Sequence, residues 1–300
     1  MELRQLECFL AVAQELHFGR AAERLSMSQS SVSEAIKALE HRLGAPVFDR
    51  TSRRVTLTPL GDTLKRGSEP ALIALRATFQ DCRRQAAGKM RQLKIGFLGG
   101  GFYELHRPLM AEFGEMHRDV ELEFVELTYL NHFSGVIDGT VDVGFCRLPL
   151  GIDALHGGPI VMRDQRMLCV PHDHSFTQFA LLDPERLAEE TLVRTTPGSV
   201  PDEWDSFHFP KHTPQGRPIA QGPVVRTIRE AIAAVATGQG LFMLTKRAAN
   251  YYATPGISFV EIDLPPTPSA LVWRRNDIRP IIQDLNATLV RIARRHGTMS

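Results

Sequence analysis

The sequence predicts a chain of two unlike parts: a small, mainly helical domain and, after one long helix, a larger α/β region. Its 300 residues are about twice the length of a typical domain. Apolar residues recur every three or four positions before residue 90, whereas short apolar strands alternate with amphipathic helices after it. The charge also changes sign, because residues 1–91 carry 15 Lys and Arg against 10 Asp and Glu, and the remainder carry 20 against 24. A basic first part predicts a polyanionic partner for that part alone.

The first part begins with a pattern of three short helices. Apolar residues on one helical face predict a helix over residues 3–16, a second helical stretch over residues 19–25 and a third helix that ends at Gly44. The tripeptide SMS at residues 26–28 provides a turn and a hydroxyl cap for the third helix. Two helices joined by a tight turn, the second with small polar side chains in its first turn, form the arrangement that presents a recognition helix to the DNA major groove.

A hairpin is predicted to follow the third helix, at residues 45–58. Two short apolar strands flank the basic turn RTSRR, so the first domain is predicted to be a winged helix-turn-helix. The arginines of this wing are Arg50, Arg53 and Arg54. They can neutralise phosphates or enter the minor groove, which positions a protein on DNA without reading much sequence. A merely solvated basic turn is the alternative.

An apolar stripe predicts that residues 59–88 form a linker helix that pairs with a second copy of the chain. Its members, spaced by three and four positions, are Leu72, Leu75, Phe79, Cys82 and Ala86. A single helix cannot bury such a stripe against itself, so a dimer that reads half-sites about 34 Å apart, or a multiple of that, is the simplest solution. Packing on the chain's own domain is the alternative. Gly67 and Pro70 are expected to interrupt the helix with a kink.

The second part predicts a parallel sheet in two sets of elements. The first set consists of strands at 93–98, 120–127 and 141–145 and helices at 105–116 and 129–137. The second set consists of strands at 166–170, 191–193 and 241–244 and a helix at 226–237. The chain then returns with a strand at 270–274 and a last helix whose apolar face contains Ile281, Leu285, Leu289 and Ile292.

Several motifs of this chain resemble those of the LysR-type transcriptional regulators. In the first part they are FGRAAERL at 18–25, SQSSVS at 28–33 and LGAPVFDRT at 43–51. In the second part VIDGTVDVGF at 136–145, VATGQG at 235–240 and WR at 273–274 look like the family's co-inducer domain, which is similar to periplasmic binding proteins. The resemblance covers nearly the whole chain.

This resemblance implies three regions and a regulatory function. The regions are a winged helix-turn-helix domain at 1–58, a linker and dimerisation helix at 59–88 and an effector-binding domain at 89–300. The last would comprise subdomain I (92–162 and 268–300) and subdomain II (163–267). Such a protein binds double-stranded promoter DNA as a homodimer or homotetramer, responds to a small effector in the cleft between its subdomains and contacts RNA polymerase. We expect it to be a bacterial cytoplasmic protein with no cofactor, no metal, no membrane partner and no catalytic activity.

The resemblance also assigns the predicted DNA-contacting residues. On the third helix these are Gln29, Ser30, Ser31, Ser33 and Lys37, joined by the three wing arginines. A glutamine amide suits adenine, because it both donates and accepts hydrogen bonds. The family commonly has Pro at position 30 and a basic residue at position 34, where this chain has Ser30 and Glu34. Glu34 can accept from a cytosine amino group or pair with Lys37, and the serines can serve only as helix caps.

The predicted effector site lies where loops follow the strands, because helix amino termini and loops converge there. Its candidate residues are Gly99, Gly100, Gly101, Phe102, Thr128, Arg147, Thr195, Thr196 and Phe242. We expect the effector to be a small anion, because main-chain donors and Arg147 converge on one cleft. The glycine turn can instead be a loop that needs positive φ, and Arg147 can be a surface ion pair.

Three other functions have some support in the sequence. GFLGGG at 96–101 suggests a nucleotide-binding enzyme, but the third glycine of a dinucleotide motif is absent. His172 and His174 form an isolated pair that suits a transition metal, although a closed site needs three or four ligands. Cys146 lies beside Arg147, which can lower a thiol pKa, so a redox-sensing regulator is an alternative to the effector-controlled one.

Overall fold

The computed structural model describes residues 2–50, 54–88 and 90–299. The chain folds into two compact units, Met1–Gln80 and Asp81–Ser300. Within the described ranges, no helix combines the length and the apolar character that crossing a membrane requires.

The first unit contains the predicted three helices and hairpin. Its elements are α1 (Leu3–Glu15), α2 (Phe18–Arg24), α3 (Gln29–Leu43), the antiparallel strands β1 (Phe48–Arg50) and β2 (Val55–Leu57), and the first part of α4 (Pro59–Ala86). The hydroxyl of Ser28 accepts the Ser31 N–H at 3.1 Å, and Gly44, at φ +77°, ends α3 in the left-handed region. Both predicted ends of the third helix are confirmed.

The α4 helix runs through Pro70, so the predicted interruption is wrong. Proline removes one backbone donor and costs roughly 3 kcal/mol in a helix interior. Packing on the first unit offsets that cost, because Leu72 is buried in its core and Leu64 packs against it. A bend at Pro70 without a break stays a prediction.

The second unit alternates strands and helices as predicted. Its strands are β3 (Arg91–Leu98), β4 (Val120–Leu127), β5 (Val143–Arg147), β6 (Leu155–Asp164), β7 (Arg166–Pro171), β8 (Thr191–Thr195), β9 (Ala220–Val225), β10 (Phe242–Thr245), β11 (Ile257–Glu261) and β12 (Thr267–Arg274). Its helices are α5 (His106–Met116), α6 (Ser134–Ile137), α7 (Asp202–His208), α8 (Ile228–Ala236), α9 (Lys246–Tyr252) and α10 (Pro280–His296).

The sheets are mixed rather than purely parallel. In the five-stranded sheet, ordered β4-β3-β5-β12-β6, β3 is parallel to β4 and β5, whereas β12 is antiparallel to β5 and β6. The reason is the chain path: β6 leaves this subdomain and β12 returns to it, so the two adjacent strands run in opposite directions, with Asp164 beside Thr267. A second subdomain contains the antiparallel sheet β10-β7-β11 and the parallel pair β8-β9.

The helix predicted over 129–137 is reduced to its last turn. The carboxamide oxygen of Asn131 accepts both the backbone N–H and the hydroxyl of Thr128, at 2.7 and 3.0 Å. The Thr128 hydroxyl oxygen in turn accepts the Leu130 N–H at 3.3 Å. These local bonds compete with helical ones, so the chain turns before α6 begins.

Candidate functional site

The exposed face of α3 carries most of the side chains predicted to contact DNA. Gln29, Ser30 and Lys37 are exposed, and Ser33 is half-buried. Glu34 is exposed on the same helix, and within the described ranges no ion pair joins it to Lys37. Polar groups on one side of a recognition helix can form hydrogen bonds with base edges.

The serines at the start of α3 also have local roles. The hydroxyls of Ser30 and Ser31 each lie 2.8 Å from the hydroxyl of Ser28. Ser31 is half-buried and its N–H donates to the same oxygen. Of the two roles predicted for Ser31, helix capping is the one with a visible contact.

The wing arginines differ in their surroundings. Arg50 pairs with Glu40 at 2.7 Å, and its guanidinium lies 4.9 Å from the centre of the Phe18 ring. Glu40 also accepts the Val47 N–H at 3.0 Å, so this pair ties the hairpin to α3. Arg54 is exposed. Arg53 lies outside the described residues.

The glycine turn after β3 lies against the second subdomain. Gly99 and Gly101 have φ values of +69° and +65°, so the expectation of positive φ holds for two of the three glycines. A Cβ atom on Gly99 would lie 2.5 Å from Ile228 Cδ1, and one on Gly100 would lie 2.3 Å from the Tyr103 ring. The turn therefore needs glycine for close packing as well as for conformation.

A cavity of about 230 Å³ opens beside this turn. Both subdomains line it, with Leu98, Gly99, Glu126, Leu127, Thr128, Thr227, Ile228 and Arg229. It brings two predicted site residues, Gly99 and Thr128, close to the first turn of α8. The hydroxyl of Thr128 is already engaged with Asn131.

The predicted effector residues Phe102, Phe242, Thr195 and Thr196 are not among the residues that line this cavity. Phe102 is fully buried and stacks on Phe145, with ring centres 4.3 Å apart. Phe242 is fully buried in the core shared by the two subdomains. The hydroxyl of Thr195 donates to Asp205 at 2.5 Å, and the carbonyl oxygen of Thr196 accepts from the Ser199 hydroxyl at 2.7 Å.

Arg147 lies at the end of β5, inside the cleft. Its Nη2 atom is buried and has no hydrogen-bond partner within the described part of the chain. Burial alone would lower the pKa of Arg147, but Tyr103, Tyr129 and Asp164 outweigh burial and raise that pKa, so this arginine is charged. It borders a second, water-sized cavity of about 10 Å³ together with Gly101, Tyr103, Asp164, Thr245 and Ser269.

Several polar residues around Arg147 were not predicted from the sequence. They are Tyr129 and His132 after β4, Arg166 at the start of β7, and Trp204 and His208 on α7. All five are buried, and the side chains of Tyr129, His132 and Arg166 each contain an atom without a hydrogen-bond partner among the described residues. Tyr129 and His132 could have been predicted as site residues, because both closely follow a strand in the sequence.

The two histidines are held in their neutral form. Burial, reinforced by the charge of Arg147, lowers the pKa of His132 to about 3. Burial also lowers the pKa of His208 well below its usual value, and Arg147 and Arg166 add to that effect. Positive charge therefore accumulates at this site on the arginines alone.

Cys146 and the His172–His174 pair do not form the sites that the sequence suggests as alternatives. Cys146 is buried, and burial raises the pKa of its thiol to about 12, so the expected lowering by Arg147 is wrong. His174 accepts the Phe176 N–H and lies 3.3 Å from Glu190. In the part of the chain that the structure describes, no three His, Cys, Asp or Glu side chains form a metal-binding group.

Comparisons with known proteins find matches for both units of the chain. The helix-turn-helix model of the lysR family of bacterial regulatory proteins matches residues 3–62, and the LysR substrate binding domain matches residues 86–293. The HTH-type transcriptional regulator IlvR of Caulobacter vibrioides is 31% identical over 313 residues, which cover 95% of this chain and 96% of IlvR. The HTH-type transcriptional regulator AlsR of Bacillus subtilis is 32% identical over 207 residues, which cover 69% of this chain and 68% of AlsR. The crystal structure of CbnR, a LysR family transcriptional regulator, matches with a TM-score of 0.59 at 22% identity and covers 98% of this chain and 99% of CbnR, which shows a common fold.

Proposed function

The chain belongs to the LysR family of DNA-binding transcriptional regulators, and from this premise we propose that a small organic anion, bound between the two subdomains, controls its binding to promoter DNA. The observation that carries the proposal is the half-buried, charged Arg147, whose Nη2 atom is buried in that cleft without a hydrogen-bond partner among the described residues. An arginine in a water-poor site binds carboxylates strongly, because its parallel N–H groups match the two carboxylate oxygens. The effector class is therefore an acid.

On the DNA side, Gln29, Ser30 and Ser33 would contact base edges and Lys37, Arg53 and Arg54 would contact phosphates. We assign Arg50 mainly to the support of the wing, because Glu40 and Phe18 already hold it. Ser31 would act chiefly as part of the helix cap. Glu34 has no ion pair with Lys37 on its own helix, so its carboxylate would be able to accept a hydrogen bond from a cytosine amino group.

The active species would be a homodimer or a dimer of dimers paired through α4. Leu75 and Phe79 support this, because they are 50% and 66% exposed in the single chain although both are large and apolar. Cys82 and Ala86 continue the same exposed stripe. Leu72, in contrast, packs within the first unit. One part of the apolar stripe would therefore pack on the chain's own domain, and the other part would pair with a second copy.

Regulation would follow from a change in subdomain closure. An effector that contacts Arg147 in one subdomain and residues of α8 or α7 in the other favours one closure angle. The linker helix would pass this change to the paired DNA-binding domains and alter their spacing and the DNA bend. No catalytic step is needed in this cytoplasmic process, and RNA polymerase would respond to the altered complex.

Titration calorimetry with a panel of small aromatic and aliphatic acids tests the proposal. Amides of the same acids serve as neutral controls and the corresponding amines as cationic ones. We expect binding by at least one acid and its loss in the Arg147→Met variant. Preferential binding of amides or amines would contradict an anionic effector.

A further inference from the structure

We propose that Arg247 acts as a latch between the two subdomains: its ion pair with Glu104 holds them at one closure angle, and loss of that pair releases a second angle. Only the coupling of this latch to effector and DNA rests on the proposed function. The latch itself follows from the ion pairs of Arg247, the path of the chain and the exposure of the charged groups.

The side chain of Arg247 joins the second subdomain to the first. Arg247 lies in the first turn of α9, whereas Glu104 lies in the short 3-10 helix Tyr103–Leu105 that follows the glycine turn of the first subdomain. The Nε atom of Arg247 is 2.7 Å from Oε1 of Glu104. Its Nη1 atom lies 3.3 Å from Oδ1 of Asp164, the last residue of β6. One guanidinium therefore contacts both the first subdomain and the crossover between the two subdomains.

Asp164 fixes the start of α9 at this crossover. Its side chain is only 4% exposed, and its carboxylate also accepts the Arg247 backbone N–H at 3.3 Å. Asp164 lies opposite Thr267, the first residue of β12, so both crossings of the chain between the subdomains meet here. A rotation about the crossover therefore preserves the contacts of Asp164 and changes the distance from Arg247 to Glu104.

The latch can open without leaving a buried charge unpaired. The side chains of Arg247 and Glu104 are 27% and 39% exposed, so water can hydrate both charges after they separate. Asp164, the buried charge of the three, keeps Arg247 as its partner in either state. An exposed ion pair contributes little to global stability, but two closure angles that differ little in free energy respond to a contribution of that size.

The latch adjoins the surroundings of Arg147 through Tyr103. Tyr103 has a φ value of +48°, in the left-handed region that a tyrosine seldom adopts, so neighbouring contacts must hold it there. The ion pair of the adjacent Glu104 is one such contact. Tyr103 and Arg147 line the same water-sized cavity. An effector bound to Arg147 would change the surroundings of Tyr103, and relaxation of the Tyr103 backbone would move Glu104 away from Arg247.

Lys246 provides a matched control for the latch. It precedes Arg247 in α9, and its Nζ atom lies 3.8 Å from Oε2 of Glu261, at the end of β11. This pair also joins a cation of α9 to an exposed carboxylate, but both partners belong to the second subdomain. Its loss therefore removes an ion pair without altering the contact between the subdomains.

Distances between spin labels in the full-length protein, measured by double electron–electron resonance, test the latch. The labels are attached at Gln283→Cys on α10 and Gln215→Cys in the second subdomain, both at exposed positions. Cys82→Ser removes the exposed native cysteine, and the other three are buried. Labelled chains are mixed with an excess of unlabelled chains, so that only distances within one chain are recorded.

The distances are compared between two variants in the absence of any acid. Glu104→Gln is expected to change the ratio of the two closure angles about two- to fivefold, the factor that one exposed ion pair provides. This variant retains Arg247, so the buried carboxylate of Asp164 stays paired. Lys246→Met is expected to give the distance distribution of the wild type. The latch is wrong if both variants, or neither of them, change the distribution.

Operator binding separates the latch from effector control. We expect Glu104→Gln without acid to change operator affinity in the same direction as the best-binding acid does in the wild type, and a change in the opposite direction would overturn the coupling. If Glu104→Gln alters the distances and no acid alters operator binding, the latch stands and effector control is lost. If acids alter operator binding and Glu104→Gln leaves the distances unchanged, effector control stands and the latch is lost.

Discussion

The indole Nε1 of Trp204 donates a 3.0 Å hydrogen bond to the backbone carbonyl oxygen of Arg147. This bond joins α7 of the second subdomain to the end of β5 in the first. The neighbouring ring of His208 makes a parallel contact, with its Nε2 atom 3.2 Å from the carbonyl oxygen of Leu148. The strand end that carries Arg147 is therefore hydrogen-bonded to α7 at two successive carbonyl groups.

Replacement of Trp204 by Phe should weaken this attachment. The Trp204→Phe variant leaves a buried carbonyl without its donor and reduces packing, so we expect the free energy of unfolding to fall by about 1–3 kcal/mol. Urea denaturation measures the change. A loss below roughly 0.5 kcal/mol, the level of an ordinary surface substitution, would show that the bond contributes little.

Acidification should destabilise the protein through His132. Its pKa is near 3 in the folded chain against a usual value of 6.5, so the unfolded chain binds more protons between these values. The free energy of unfolding therefore contains the full contribution of neutral His132 above pH 6.5. It falls as the pH is lowered toward 3, by at most about 1.4 kcal/mol per pH unit for this one group. His208 acts in the same direction.

The His132→Phe variant isolates this contribution. We expect its melting temperature to change less between pH 7 and pH 5 than that of the wild type, whereas a variant of the exposed His172, His172→Gln, follows the wild type. Identical pH profiles for His132→Phe and the wild type would show that another group determines the acid sensitivity.

Gln29 and Lys37 should affect DNA binding differently. After the preferred sequence has been selected from a random DNA library, Gln29→Ala is expected to lose discrimination at particular base pairs, by about 1–3 kcal/mol. Lys37→Ala should weaken binding to all sequences and reduce the slope of log K against log salt by about 1. Fluorescence anisotropy measures both. An equal loss on selected and random DNA for Gln29→Ala would remove this residue from base readout.

The exposed apolar stripe of α4 should be required for the dimer. We expect Phe79→Asp to shift sedimentation toward the monomer, because it places a charge on a surface that is buried only when two copies pair. Ala74→Asp adds the same charge at an exposed position on another side of the helix and should leave the dimer intact. Equal sedimentation of the two variants would locate the dimer contact elsewhere.

Features governed by neighbouring residues are predictable from the sequence. The cap at Ser28 and the stop at Gly44 depend on a few adjacent positions, so the limits of α3 follow directly. The position of Arg147 is predictable because a polar residue at the end of a strand lies at the binding edge of a sheet. The interruption predicted at Pro70 is wrong, since the local cost of proline is offset by packing of Leu72 that local sequence does not reveal.

Features that depend on the chain path could not be predicted. Arg166 is far from Arg147 in sequence, and the two approach only because β6 leads into the second subdomain, whose α7 packs back on the end of β5. Phe102 is predicted at the site as part of the turn after β3, and Phe242 as a candidate from the second subdomain, but both side chains lie in the cores. The position of a residue in the sequence therefore indicates where it lies in the fold, but not which way its side chain points.

Anisotropy of a labelled operator fragment, selected with the wild-type protein, tests effector control most directly when it is recorded with and without the acid that binds best in calorimetry. Effector control through Arg147 predicts a change in operator affinity or in DNA bend for the wild type, and no change for Arg147→Met at the same concentration of acid. A wild-type protein that binds its operator identically in the presence of every acid, or that responds equally after Arg147 is replaced, would contradict it.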